Sequence, residues 1–365
     1  MGFSCGIVGL PRVGKTTIFN ALTASNAQVG TFTGASADPN IAMVNVPDPR
    51  LDDLGKINKS KKITPTTLQF VDVAGLVRGS SAGGGTGNQF LAHIREVDAV
   101  VHVVRCFDDD NVIHEDLTVN PVRDAETIHL ELALADLVTV ERRRERVIKL
   151  ARTGDAPAKR LLAALDAIKA VLDEGRPARE AQVHKEDWAL LYDLHLLTVK
   201  PVLYVGNIDE TGLAPGHPYS AALEKLAASE GAPCVRICGK IEAEMAALPE
   251  AERTEFMEAY GLKESGLSKL IHAGFQLLDL MTFLTAGEDE TRAWTITRGT
   301  KAPQAAGKIH SDLERGFIRL EVYSFDDWVT SGRDEKKVKE KGHWRSEGKE
   351  YVMREGDVCL FRFNV

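Results

Sequence analysis

The residues with the clearest capacity for chemistry lie at the start of the chain. Gly9-Leu10-Pro11-Arg12-Val13-Gly14-Lys15-Thr16 fits the pattern G-x-x-x-x-G-K-[ST]. It falls between a short apolar run, Phe3 to Leu10, and a helical pattern from Lys15 to Ala24. Gly9 and Gly14 let backbone N–H groups, that of Val13 among them, turn inward around a phosphate, and a helix starting at Lys15 adds a favourable dipole. Lys15 is then placed to bridge the β- and γ-phosphates, and the Thr16 hydroxyl to ligate Mg²⁺. Arg12 and Thr17 border the same site.

Two further stretches complete this constellation. Asp72-Val73-Ala74-Gly75 closes a buried-strand candidate, Leu68 to Val73. An Asp there holds the Mg²⁺ shell, and the Gly75 N–H meets a γ-phosphate. Asn207-Ile208-Asp209-Glu210 follows the strand candidate Pro201 to Val205, where GTPases carry N-K-x-D. In that motif the Asp accepts from guanine N1–H and the exocyclic amine. Here the fourth position is Glu210, one methylene longer, and Ile208 replaces the Lys. Adenine has no N1–H, so the site reads as a GTPase-type scaffold altered for ATP. Asp209 sits one position too early, and a shifted register keeps GTP open. Cys238, with Gly239 and Lys240, falls at the fifth nucleotide loop and is expected to line the base through backbone groups.

The elements that must position these residues follow from composition and pattern. The chain has 365 residues, 44% hydrophobic and 27% charged, with a net charge of −8. That length provides for two or three domains with ample core and excludes wholesale disorder. No apolar run reaches the ~20 residues that cross a bilayer, and the first residues do not read as a signal peptide. Gly2 fails as a myristoylation site because Ile7 stands where Ser or Thr is required. Five scattered cysteines suggest neither a zinc site nor a disulfide framework. A cytoplasmic protein is expected, with no membrane and no DNA partner.

Strands alternating with helices in the first third imply an α/β fold with a mainly parallel sheet. Pro121 to Thr198 reads as helix only, with Thr153-Gly154-Asp155 as the turn of an inserted hairpin. After Met281 a strand-rich texture suggests a small α+β module. The expected division is 1–120 with 199–280 as a nucleotide-binding domain, 121–198 as a helical coiled-coil insertion, and 281–365 as a third domain.

The motifs resemble the YchF / Obg-like ATPase family, within the Obg branch of translation-factor-type P-loop proteins. The resemblance rests on Gly6-Ile7-Val8-Gly9-Leu10-Pro11, Asp72-Val73-Ala74-Gly75-Leu76-Val77, and Gly87-Asn88-Gln89-Phe90-Leu91-Ala92-His93-Ile94-Arg95-Glu96. Val103-Val104-Arg105-Cys106-Phe107, Asn207 with Glu210, and Ala302-Pro303-Gln304-Ala305-Ala306-Gly307-Lys308-Ile309-His310 extend it. It covers essentially the whole chain. It implies a C-terminal TGS domain of ubiquitin-like β-grasp fold and ATP in preference to GTP. It also implies slow Mg²⁺-dependent hydrolysis to ADP and association with the ribosome and its large subunit in translation or stress regulation.

The same resemblance assigns the second Mg²⁺ ligand to Ser36, with Thr33 a rival, and the water-positioning role to His114. The latter matters because Leu76 follows D-x-x-G where Ras-like enzymes carry Gln, and Leu cannot hold a water. Arg12 stands where the family usually has Asn; either it points to solvent or pairs with an acid, or it supplies charge in cis and makes hydrolysis K⁺-independent. The glycine-rich run 79–87 suits a switch ordered by the γ-phosphate.

Glu141 to Arg160 holds eight basic and three acidic residues, a local +5, and offers a contact for ribosomal RNA phosphates. Two other readings stay open: a nucleotide-sensing binding module with incidental hydrolysis, and an Obg-type GTPase.

Overall fold

The computed structural model describes residues 2–25, 31–32, 39–73, 85–214 and 216–364. Along the chain run β1 (Ser4–Val8), α1 (Lys15–Ser25), β2 (Thr31–Phe32), β3 (Asn40–Asn45), α2 (Pro49–Ile57), β4 (Lys62–Thr64), β5 (Thr67–Asp72), α3 (Gly85–Glu96) and β6 (Ala99–Arg105). Then come α4 (Pro121–Arg152), α5 (Ala156–Asp173), β7 (Val202–Asn207), α6 (Pro218–Ser229), β8 (Cys234–Ile237), α7 (Gly239–Ala247), α8 (Glu250–Ala259) and α9 (Gly266–Leu277). The last stretch holds β9 (Leu280–Thr285), β10 (Glu290–Thr297), α10 (Ala302–Ile309), β11 (Phe317–Ser324), β12 (Arg345–Glu347) and β13 (Asp357–Phe363), with short helices between β11 and β12. Among the described residues no helix is long and apolar enough to cross a membrane.

The chain divides into two compact units, Met1–Val44 with Gln69–Gly274 and Asn45–Leu68 with Phe275–Val365. In the first, seven strands lie in the order β2-β3-β5-β1-β6-β7-β8. β1 pairs in parallel with β5 and β6, β6 with β7, and β7 with β8. Strands β1, β6 and β7 are buried along their whole length, as near-continuous apolar runs covered on both faces must be. The register aligns Ile7 with Asp72, Val8 with His102, and Arg105 with Asn207. The carboxyl ends of five strands therefore meet at one edge, where open α/β sheets bind ligands.

The expected helical insertion is present as α4 and α5. Asn120 caps α4 by accepting from the Arg123 N–H at 3.1 Å, with Pro121 at the first helical position. Asp155 caps α5 through the Ala158 N–H at 2.7 Å. Val140, Val147, Ala158, Leu165, Ile168 and Leu172 fill the seam. The returning chain is tied back to α4 by the buried Asp136, which accepts from the N–H groups of Leu197 and Thr198, both at 2.8 Å, and from the Thr198 hydroxyl at 2.6 Å. Burial raises the Asp136 pKa, and these bonds pull it back.

The second unit is a six-stranded sheet ordered β12-β11-β13-β9-β10-β4. β9 and β10 form an antiparallel hairpin, β13 runs parallel to β9, and β11 pairs antiparallel with β13. Met281, Phe283 and Ile296 pack with Ala302, Ala305 and Ala306 of α10 on one face. Leu284 and Ala293 pack with Leu51 and Leu54 of α2 on the other.

That second face explains the membership of this unit. The sequence reading placed 45–68 in the nucleotide-binding domain, whereas these residues cluster with the C-terminal sheet. Leu51 and Leu54 cover its open side, and β4 extends its edge beside β10, with Ile63 paired to Thr291. The sequence reading also ended the nucleotide-binding domain at 280, whereas Leu280 opens β9 of the C-terminal sheet.

Candidate nucleotide site

The P-loop follows from backbone that few residue types tolerate. Gly14 has φ +97°, and a Cβ there would collide with the Asn207 side chain. Arg12 is held at φ 61°, in the left-handed region. Val13 and Lys15 are buried, while Thr16 and Thr17 at the start of α1 are exposed to a cavity of about 780 Å³.

The Lys15 ammonium donates to the carbonyls of Gly9 at 2.9 Å and Leu10 at 2.7 Å. With three N–H donors, it keeps one for a phosphate oxygen. Burial pushes its pKa down to about 8, against which the carboxylates of Asp72 and Glu115 act. Asp72 stands at the end of β5, its pKa raised by burial and lowered in part by Lys15.

At the other end of the cavity Asn207 is a strut. Its Nδ2 donates to the Val13 carbonyl at 2.9 Å, and its Oδ1 accepts from the Gly239 N–H at 3.0 Å. One buried side chain thereby fastens the P-loop to the loop before α7. Ile208 is 3% exposed. Asp209 also borders the cavity, with its Oδ1 accepting from the Thr211 hydroxyl and the Gly212 N–H, both at 2.8 Å. Glu210 pairs with Lys240 at 2.8 Å, and this contact lowers the Glu210 pKa.

The structure brings Arg12, Gly14, Lys15, Thr16, Thr17, Asn207, Ile208 and Glu210 around one cavity. Cys238 is buried behind it and borders a separate space of about 80 Å³. Gly9 and Val13 do not border the larger cavity, and a Cβ on Gly9 would collide with the Val103 carbonyl oxygen. Ser36, its rival Thr33, Gly75, Leu76 and most of the glycine-rich run lie outside the described residues.

His114 does not border the cavity. Its Nδ1 accepts from the Asp116 N–H at 3.1 Å, so Nε2 carries the proton and donates to Asp124 at 2.8 Å. The negative charge of Glu115, next in the chain, does reach Lys15. Arg12 ties this loop to the P-loop by donating to the Ile113 carbonyl at 3.3 Å.

Sequence reasoning missed the other wall, formed by Phe107, Asp108, Asp109 and Val112. Arg105 at the end of β6, 2% exposed, organises it. Its guanidinium donates to the carbonyls of Phe107 at 3.0 Å, Val112 at 2.6 Å and Asp109 at 3.3 Å, and stacks 4.6 Å from the Phe107 ring. An Arg closing a fully buried strand was the available signal, since such a charge demands acceptors.

A parallel sheet with a P-loop at the carboxyl end of its first strand, and a strut joining that loop to a base-side loop, defines a P-loop nucleotide-binding protein of the GTPase fold class. The family model "50S ribosome-binding GTPase" matches residues 4–151, and the C-terminal YchF-GTPase model, described as "Protein of unknown function", matches 280–364. The chain is 49% identical to "Ribosome-binding ATPase YchF" of Escherichia coli O157:H7 and 48% identical to the protein of that name in Bacillus subtilis, each alignment covering 100% of both chains. The solved structure "Structure of the Schizosaccharomyces pombe YchF GTPase" is 36% identical and superposes with a TM-score of 0.87 over 99% of this chain and 98% of that one. The chain belongs to the YchF family.

Proposed function

We propose that this protein is a cytoplasmic, Mg²⁺-dependent ATPase that acts in association with the ribosome and its large subunit. The observation that carries the ATP reading is the state of the two carboxylates at the base end. Asp209 is spent on Thr211 and Gly212, and Glu210 is paired with Lys240. Each therefore has one carboxylate oxygen already engaged, and neither keeps both oxygens for guanine N1–H and its amine together. The bacterial relatives carry the name ATPase and the fission-yeast structure the name GTPase, which makes ATP against GTP on this chain the deciding measurement.

The residues fit Mg²⁺. Thr16 presents a hydroxyl to the cavity, and Asp72 sets a carboxylate close enough to act on Lys15. These are the hard oxygen donors the ion takes. Bound there with ATP, the ion would neutralise charge developing on the phosphates. The chain's own part is to hold and orient. Lys15 and the N-terminus of α1 grip the phosphates, and Asn207 keeps the P-loop in register with the base wall. For His114 to position water it must exchange Asp124 for the cavity.

In the helical insertion Arg143, Arg144 and Arg160 pair with Asp193, Asp166 and Asp187. Arg142, Arg146, Lys149, Arg152 and Lys159 are exposed, with no ion-pair partner among the described residues. Five free cations on one arm support a contact with ribosomal RNA phosphates. Residues 281–365 we assign as the TGS domain, in keeping with the parallel central strands β9 and β13 and the helix α10 on one face.

The test is a competition titration of ATP against GTP, followed by turnover with and without purified ribosomes. Tighter ATP binding and ribosome-stimulated hydrolysis are expected. Tighter GTP binding would overturn the ATP reading, and an unstimulated rate would favour a nucleotide-sensing module.

A further inference from the structure

We propose that Lys240 is a specificity-determining residue for the purine base, acting as a pair with Glu210; the choice of adenine rests on the ATP reading above. Lys240 follows the loop fastened by Asn207 through the Gly239 N–H. Both members of the pair border the nucleotide cavity, and their side chains are 69% and 43% exposed, so each remains open to a ligand. One carboxylate oxygen of Glu210 meets the ammonium at 2.8 Å. The other oxygen can still accept, and the ammonium has further N–H groups to donate.

The pair thus sets an acceptor beside a donor. A purine's Watson–Crick edge carries the matching code. Adenine offers its 6-amino donor beside the N1 acceptor, whereas guanine offers the O6 acceptor beside the N1–H donor. With sugar and phosphates anchored in the P-loop, the base meets the pair in one orientation, so one order fits one base. In the order that suits ATP, Glu210 accepts from the 6-amino group and Lys240 donates to N1. Guanine would then set O6 against a carboxylate and N1–H against an ammonium. Specificity in this site comes from two opposed charges on separate segments, where the GTPase motif uses one carboxylate. Asp209 is the less available carboxylate, because its Oδ1 already accepts from Thr211 and Gly212.

The experiment measures dissociation constants of ATP, GTP and inosine triphosphate for the full chain in Mg²⁺ buffer, comparing the parent with Lys240→Met, Glu210→Gln and the double variant. Lys240→Met keeps an unbranched apolar stem and removes the charged donor at its end. It is expected to lower the ATP:GTP affinity ratio roughly three- to tenfold, the worth of one partly exposed charged contact. The double variant should fall little further than either single one. Inosine has guanine's O6 and N1–H without the 2-amine, and should be rejected as GTP is. An unchanged ratio in Lys240→Met overturns the role of Lys240, whichever base the parent prefers. Inosine triphosphate bound as tightly as ATP overturns the edge-reading geometry. A parent that prefers GTP, with a ratio that still moves in Lys240→Met, overturns the ATP reading and leaves Lys240 as a base-reading residue.

Discussion

At the end of the cavity proposed for the phosphates the lining comes from one continuous stretch, Arg12 to Thr17. At the end proposed for the base it comes from three segments, 107–112, 207–210 and 239–244. A loop that binds through its own N–H groups needs only glycines at the turning points and a helix behind it. A wall built from side chains depends on which segments the sheet brings together and on how each charged group is already paired. Here Glu210 is paired across a gap of 30 positions in the chain, and Asp209 with its immediate neighbours. The phosphate end is therefore generic and strong, while the base end is specific to this chain and adjustable.

Substitutions rank that contrast. Lys15→Ala removes the ammonium proposed to reach the phosphates, and kcat/KM for ATP should fall about 10³-fold, as for loss of a preorganised charge-stabilising donor. A loss below tenfold in steady-state assays would mean that the backbone alone carries this end. His114→Ala should lower kcat by about 100-fold and leave the nucleotide Kd unchanged, the lower bound for a general acid–base group. Single-turnover rates equal to those of the parent would confine His114 to its contact with Asp124.

Asn207→Ala acts at the joint between the two ends. It strands the Val13 carbonyl and the Gly239 N–H in a buried setting, at a cost of about 1–3 kcal/mol. Thermal unfolding should show that loss, and ATP and GTP should weaken together by about tenfold. A change in one nucleotide alone would show that Asn207 reads the base directly. Asp124→Asn weakens the acceptor that holds His114 at 2.8 Å. Basal turnover should rise roughly two- to fivefold, within the range of a single part-buried contact. An unchanged rate would show that release of His114 does not limit hydrolysis.

Much of this site was legible in the sequence because its signals are local. The P-loop spacing, the Asp at the end of β5 and the Thr153-Gly154-Asp155 turn between α4 and α5 each depend on neighbours within a few positions. Glu210 in place of Asp could be read directly, but not its partner Lys240. Lys240 was placed at the right loop, yet its role there was read as that of its backbone. At the wall 107–112 the one signal was Arg105 closing a buried strand, and its acceptors are visible only once the chain has turned back on itself. His114 was singled out on resemblance, and its bonds to Asp116 and Asp124 could not be read from spacing.

The sequence by itself determined the class of sheet, the phosphate-binding loop, the helical insertion and the charge of its arm. Glycine conformational freedom, apolar periodicity and capping are properties of short windows, and they survive whatever the rest of the chain does. Tertiary structure alone decided that residues 45–68 cover the C-terminal sheet, that Asn207 is a strut, and that Arg12 reaches the Ile113 carbonyl. Each of these outcomes depends on burying an apolar face or satisfying a buried polar group with a partner distant in sequence. The strength of such a contact is fixed by geometry that no window of neighbouring residues contains.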